Sequence, residues 1–173
     1  DGSSLTNINA SAVAIAIDDL TDGIYDGSSG FLGSGAGSGD SGGNSSVGIG
    51  RNALSVNGSV RNTAVGYHTL ERNNSGNDNS AFGFEAGTEI TNGNNNTAVG
   101  SRAMDALALG DNNTAVGSNA LTTTWGQSNN TAVGYGASDR TIGDNNTSLG
   151  SQALRYNSTG QANVALGAFA GLG

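Results

Sequence analysis

Four carboxylates crowd one short stretch, Asp18, Asp19, Asp22 and Asp26, and clustered oxygen ligands are what a calcium ion takes. Asp111 and Asp144, each opening an Asp-Asn-Asn turn, invite the same chemistry. A solvated acidic turn is the plainer reading of all of them, so calcium stands as the one cofactor to test and no resident cofactor or metal is expected. The lone histidine, His68, sits in a variable slot and reads as a surface residue. Serines are too many for one to be singled out as the nucleophile of a Ser-His-Asp arrangement. The glycine-rich "GSGAGSGDSGG" contains no lysine and precedes no helix-forming run, which argues against a phosphate loop. Trp125 and Tyr135 offer rings to a sugar, although single surface aromatics are commonplace. The chain is not expected to be an enzyme, with no catalytic residue assigned.

Asn-x-Ser/Thr occurs at Asn9, Asn44, Asn57, Asn73, Asn95, Asn112, Asn129, Asn145, Asn146 and Asn157, mostly in the polar stretch before an apolar triplet. These are acceptor sequences for N-glycosylation. In a chain so rich in Asn, Ser and Thr, chance accounts for many of them.

The elements that would carry these groups follow from composition and periodicity. Only 35% of the 173 residues are hydrophobic and 5% aromatic, so no ordinary globular core can be built. Glycine, at 30 residues, is abundant, while Pro and Cys are absent, which removes disulfides and thiolate zinc sites. A net charge of −8 opposes nucleic acid, whose phosphates need a basic footprint. The longest apolar run, Ala12 to Ile17, is far too short to cross a bilayer, so no membrane insertion is expected. Beginning at Asp1 rather than Met, the sequence reads as a processed chain or an excerpt of a longer one.

A repeat is the dominant signal. The glycines that follow a branched or aromatic residue, Gly50, Gly66, Gly83, Gly100, Gly117, Gly134, Gly150 and Gly167, are spaced by 16 or 17 residues. Each unit opens on Asn (Asn62, Asn79, Asn96, Asn113, Asn130, Asn146, Asn163; Ser46 in the first copy). A tiny residue comes two places on (Gly48, Ala64, Ala81, Ala98, Ala115, Ala132, Ser148, Ala165), then a larger apolar one, then the glycine. A second small column lies three places beyond: Ala53, Thr69, Ala86, Ala103, Ala120, Ala137, Ala153, Ala170. Such a unit is too short and too poor in helix formers for helical hairpins. It predicts an all-β fold, a parallel β-solenoid or β-roll of about eight coils, each with two short strands and two turns. At roughly 4.8 Å per coil, the rod is about 38 Å long. The alanines belong inside, where only a methyl group fits, and the asparagines form a ladder from coil to coil or occupy left-handed turn positions.

Neighbouring strand residues point to opposite faces. With the alanines inside, Ile49, Val65, Phe82, Val99, Val116, Val133, Leu149 and Leu166 form an outward apolar stripe. Stripes of this kind mark interfaces, and the expected partner is the chain itself, in an intertwined or packed homotrimer. Residues 1–43 lack the repeat and read as a lead-in strand ("SAVAIAI", Ser11 to Ile17) and a Gly/Ser/Asp-rich neck, with the repeat domain spanning 44–173. The last unit ends on "GAFAGLG" without a polar cap. Either the natural chain continues or another subunit covers that edge, and the Ser11–Ile17 strand is a candidate cover that would give head-to-tail polymers.

The tandem "NTAVGxxAL" with its "GNNNTAVG"-type turns resembles the repeats of phage and bacterial tail-fibre-like proteins. It is also similar to the heads of trimeric autotransporter adhesins, with a unit longer than theirs. "DGSSLTNINAS" and "DLTDGIYDGSSGFLGSGAG" resemble the segments that lead into such repeats. The resemblance implies a left-handed β-roll in an extracellular fibre at a cell surface or on a virion, a stiff rod that serves attachment to a receptor or glycan. The alternative is a subunit of a head-to-tail, glycosylated extracellular filament. A carbohydrate- or ice-binding module is the reading from a different class; Thr63, Thr97, Thr114, Thr131 and Thr147 recur only once per coil and are interrupted by Ser80, which weighs against an ice-matching lattice.

Overall fold

The computed structural model describes residues 23–42, 44–106, 108–122 and 125–172. They form ten three-residue strands and no helix. The strands are β1 (Gly23–Tyr25), β2 (Gly30–Leu32), β3 (Val47–Ile49), β4 (Thr63–Val65), β5 (Ser80–Phe82), β6 (Thr97–Val99), β7 (Thr114–Val116), β8 (Thr131–Val133), β9 (Thr147–Leu149) and β10 (Val164–Leu166). They lie in one sheet in chain order, parallel and in register from β2 onward, so that Ala98 pairs with Ala115 and Val99 with Val116. This is the expected β-solenoid, each strand one coil above the last. The lead-in strand proposed at Ser11–Ile17, with Asn9, Asp18, Asp19 and Asp22, lies outside the described residues.

From β2 onward each strand stops at its glycine, which takes φ between +115° and +140° in the repeat coils. A side chain is excluded there by proximity as well as by backbone angle. A Cβ on Gly100 would lie 2.7 Å from the carbonyl carbon and oxygen of Gly117 in the next coil.

The second side of the coil differs from expectation. It is not a strand but a run of turns in which every second residue is left-handed: Gly66, His68 and Leu70 in one coil, Gly117, Asn119 and Leu121 in another. Alternating signs of φ bend the chain too tightly for a pleat. Backbone bonding between coils persists all the same, as in the Leu70 N–H to Ala86 carbonyl bond of 3.0 Å and the Leu121 N–H to Ala137 bond of 3.0 Å.

The coil geometry also begins earlier than the sequence repeat. β2 pairs in parallel with β3, matching Phe31 to Gly48, and its coil repeats the left-handed glycine series at Gly33, Gly35 and Gly37. β1 then folds back antiparallel onto β2 and shields the first edge of the stack.

The interior is narrow. Both small columns are buried, Ala64, Ala81, Ala98, Ala115 and Ala132 on the strand side and Ala53, Ala86, Ala103 and Ala120 on the turn side. Leu54, Leu70, Met104 and Leu121 fill the remaining width despite their positive φ. Where Gly87 occupies that slot, the buried Ile90 supplies the missing volume; a Cβ on Gly87 would meet Ile90 Cδ1 at 2.9 Å.

Candidate functional site

The buried asparagines are structural. The backbone N–H of Asn79 donates to Asn62 Oδ1, that of Asn96 to Asn79 Oδ1, and that of Asn113 to Asn96 Oδ1, each at 2.9 Å. The series continues through Asn130, Asn146 and Asn163. Ser29 and Ser46 carry it into the first coils with their hydroxyls. The amide nitrogens close each coil on itself, as Asn96 Nδ2 donating to the Gly110 carbonyl at 2.8 Å. Asn130 Nδ2, in a coil one residue shorter, is buried without such a partner. The left-handed role falls instead on the residue just before each ladder position, including Asn95, Asn112, Asn129 and Asn145.

A second ladder, in a column of mixed composition, was not evident from the sequence. Asn77 N–H donates to Asn94 Oδ1, Asn94 N–H to Asp111 Oδ1, Asp111 N–H to Ser128 Oγ, and Ser128 N–H to Asp144 Oδ1, at 2.7 to 3.0 Å. Asp111 and Asp144 thus serve as turn acceptors. Asp26 accepts from the Ser28 and Ser29 N–H groups in the same manner. Among the described residues, no three His, Cys, Asp or Glu side chains are grouped to hold a metal ion.

The candidate glycosylation sites separate by burial. Asn44, Asn57, Asn73 and Asn146 are buried. Asn44 and Asn57 both give their amides to Asp40, at 2.7 and 2.8 Å. Asn157 is half-buried and bonded to Gly160. Asn95, Asn112, Asn129 and Asn145 are exposed and line up on successive coils. His68 is partly buried, with Nδ1 2.6 Å from Glu71 Oε2 and Nε2 3.3 Å from Asn52 Nδ2, neither partner being a nucleophile.

Two outer surfaces remain. On the sheet side, the column Ile49, Phe82, Val99, Val116, Leu149 and Leu166 is exposed, and Val65 and Val133 are half-buried. Leu32 extends it into the first coil, where Leu32, Val47 and Ile49 border a shallow apolar hollow of about 150 Å³. Beside it, Arg51, Tyr67, Phe84 and Arg102 form a ladder on the coil edge, with Tyr67 and Phe84 stacked at 5.4 Å and a guanidinium over each ring.

On the corner formed by the closing turns lie three hollows. Glu89, Ala106, Ala108 and Trp125 line one of about 250 Å³, which adjoins another of about 290 Å³ bounded by Glu85, Thr88, Glu89, Asp105 and Ala106. Arg140, Ile142, Tyr156 and Ser158 line the third, about 440 Å³, further along the rod. Trp125 is 78% exposed. Tyr135 directly follows the strand-ending glycine of its coil, so the two rings suggested as a sugar face occupy different columns. Asp105 is partly buried; desolvation pushes its carboxyl up to about 6, with Arg102 opposing and Glu85 and Asp139 reinforcing the rise.

Comparison with known proteins gives no protein family, no curated protein and no solved structure that matches the chain.

Proposed function

We propose that the chain is a structural segment of an extracellular fibre, of the tail-fibre or adhesin type, which works as a stiff rod and a surface for attachment. One observation carries this reading. The apolar column stands outward in line on successive strands of a parallel, in-register sheet, with six of its eight residues between 37% and 73% exposed. Isolated exposed leucines or valines need no explanation, but a continuous stripe along a rod is a surface that a partner covers. A stripe that runs along a rod is covered by copies of itself related by rotation about an axis parallel to the rod, and three copies give a closed bundle. Stiffness then comes from backbone bonds between coils, and the outward turns remain for contact. Among the described residues no helix is long and apolar enough to cross a membrane.

The test is native mass by light scattering across concentration. A constant mass of about three chains, lost in a Val99→Lys, Val116→Lys variant that keeps its circular dichroism, is the expected result. A stable monomer overturns the reading, and mass that grows without limit replaces it with the head-to-tail filament.

A further inference from the structure

The corner groove has a composition that the solenoid itself does not require. The column takes residues of varied size in successive coils, Thr91, Ala108 and Ile142 among them, so closure does not call for a large ring, yet the same corner carries the chain's single tryptophan with its ring in water. Ordering a large ring on the surface without burying it brings little stability. The ring stands beside two alanines whose size leaves its face accessible.

The polar groups around it narrow the ligand class. Glu89 Oε1 lies 2.6 Å from Arg72 Nη1, and Glu85 Oε2 lies 2.8 Å from Arg102 Nε. Their charges are matched, so the rim presents planar acceptors and donors together rather than a bare negative field. Two of the three carboxylates are already matched by guanidinium groups, which weakens the site for a cation, and an anion would meet Glu85, Glu89 and Asp105. Asp105 pairs with no other side chain among the described residues and forms part of the same wall. A flat apolar ring beside carboxylates and guanidinium groups suits a pyranose, whose C–H face stacks on indole while neighbouring hydroxyls bridge planar polar groups.

The groove also has direction. Ile142 occupies the column of Trp125 one coil on and lines a separate hollow, where Tyr156 lies under Arg140 and Arg155, at 5.7 and 5.2 Å. Trp125 and Tyr156 are two coils apart, roughly 10 Å along the axis, a span suited to an extended chain of sugar rings.

We propose that this corner groove binds a neutral, unbranched oligosaccharide, with Trp125 as the stacking platform and Glu89 and Asp105 as hydroxyl acceptors. It deepens the attachment reading by naming what the rod would hold, and it depends on the groove alone.

Because Trp125 is the only tryptophan, its fluorescence reports the site directly. The full chain is titrated with gluco-, manno-, galacto- and N-acetylglucosamine oligosaccharides, linked β-1,4, up to about 10 mM. At least one should shift the emission saturably, with Asp105→Asn and Glu89→Gln each weakening binding about tenfold. Trp125→Ala should abolish binding by calorimetry with the circular dichroism intact. No saturation by any sugar, or affinities unchanged in all variants, overturns the proposal. Saturation by n-butylammonium without a response to sugars overturns it in favour of a cation site. Light scattering on the same samples reports the fibre reading separately.

Discussion

The ring of Phe31 occupies the space that Gly48 leaves by having no side chain. The two residues are register partners on β2 and β3, and a Cβ on Gly48 would stand 2.8 Å from Phe31 Cδ1. Elsewhere both positions are small, usually alanine. A large residue in the first coil is thus accommodated by a smaller one in the second, which makes the pair a plug at the N-terminal end of a thin core. A double-mutant cycle tests this. Phe31→Ala should cost about 3–5 kcal/mol through the cavity it leaves. Gly48→Ala should cost about 1–3 kcal/mol by overpacking. The double variant should fall short of the sum by at least about 1 kcal/mol, read from urea unfolding midpoints; strict additivity would mean that the two do not share one space.

The ladder predicts a different kind of loss. Asn96→Ala removes the acceptor of the Asn113 N–H and the donor to the Gly110 carbonyl, in a buried place that water does not reach. Two unpaired groups should cost about 3 kcal/mol, lowering Tm by about 6–12 °C. A change comparable to that of an exposed Asn95→Ala would show the ladder to be incidental.

How far the chain discloses itself in sequence depends on which contacts recur identically. The period, the strand-ending glycines, the inward alanines and the Asn ladder repeat residue for residue, because each meets its own copy one coil away. The coil at residues 29–42 escaped the alignment, since Ser29, Gly30 and Phe31 stand where later coils have Asn, Thr and Ala. Its spacing of Gly33, Gly35 and Gly37 was the available signal, as those are the left-handed places that bend every coil. The second ladder was hidden because Asn, Asp and Ser supply the same acceptor oxygen interchangeably. The corner groove was invisible in principle. Trp125 meets Glu89 only through the stacking of different coils, with Asp105 in the adjoining hollow, and neither the tryptophan nor the glutamate recurs in its column.

Asp105 gives the molecule a definite pH dependence. Its folded pKa, about 6, lies above the ordinary 3.8, so the native state holds this proton more tightly than the unfolded chain does. The stabilisation is complete below the unfolded value and is lost as pH rises through about 6. Arg102 opposes the shift, while Glu85 and Asp139 add to it. Asp105→Asn should therefore stabilise the chain at pH 7, by about 1 kcal/mol after allowance for solvent screening, and make no difference well below the unfolded value, at about pH 2. A gain independent of pH would point to packing instead.

Among the described residues, Ala162 is the one alanine at positive φ, with φ of 56°, in the exposed column that earlier coils fill with Asn95, Asn112, Asn129 and Asn145. Asparagine tolerates this conformation through local hydrogen bonding, and alanine does not. Ala162→Asn should raise stability by about 0.5 kcal/mol, or roughly 1–2 °C in Tm. Loss of stability would indicate that the position is not held left-handed in solution.

Every ladder Asn from Asn62 to Asn146 offers its Oδ1 to the coil that follows, and strands pair only with those of the adjacent coils. A finished coil is therefore a template for the next and is indifferent to how many come after it. At the level of the gene, unequal recombination between near-identical copies would lengthen or shorten the rod in steps of about 4.8 Å, each product as well formed as its parent. Reach, for such a molecule, is a trait that selection can adjust by counting copies, with no new amino acid required.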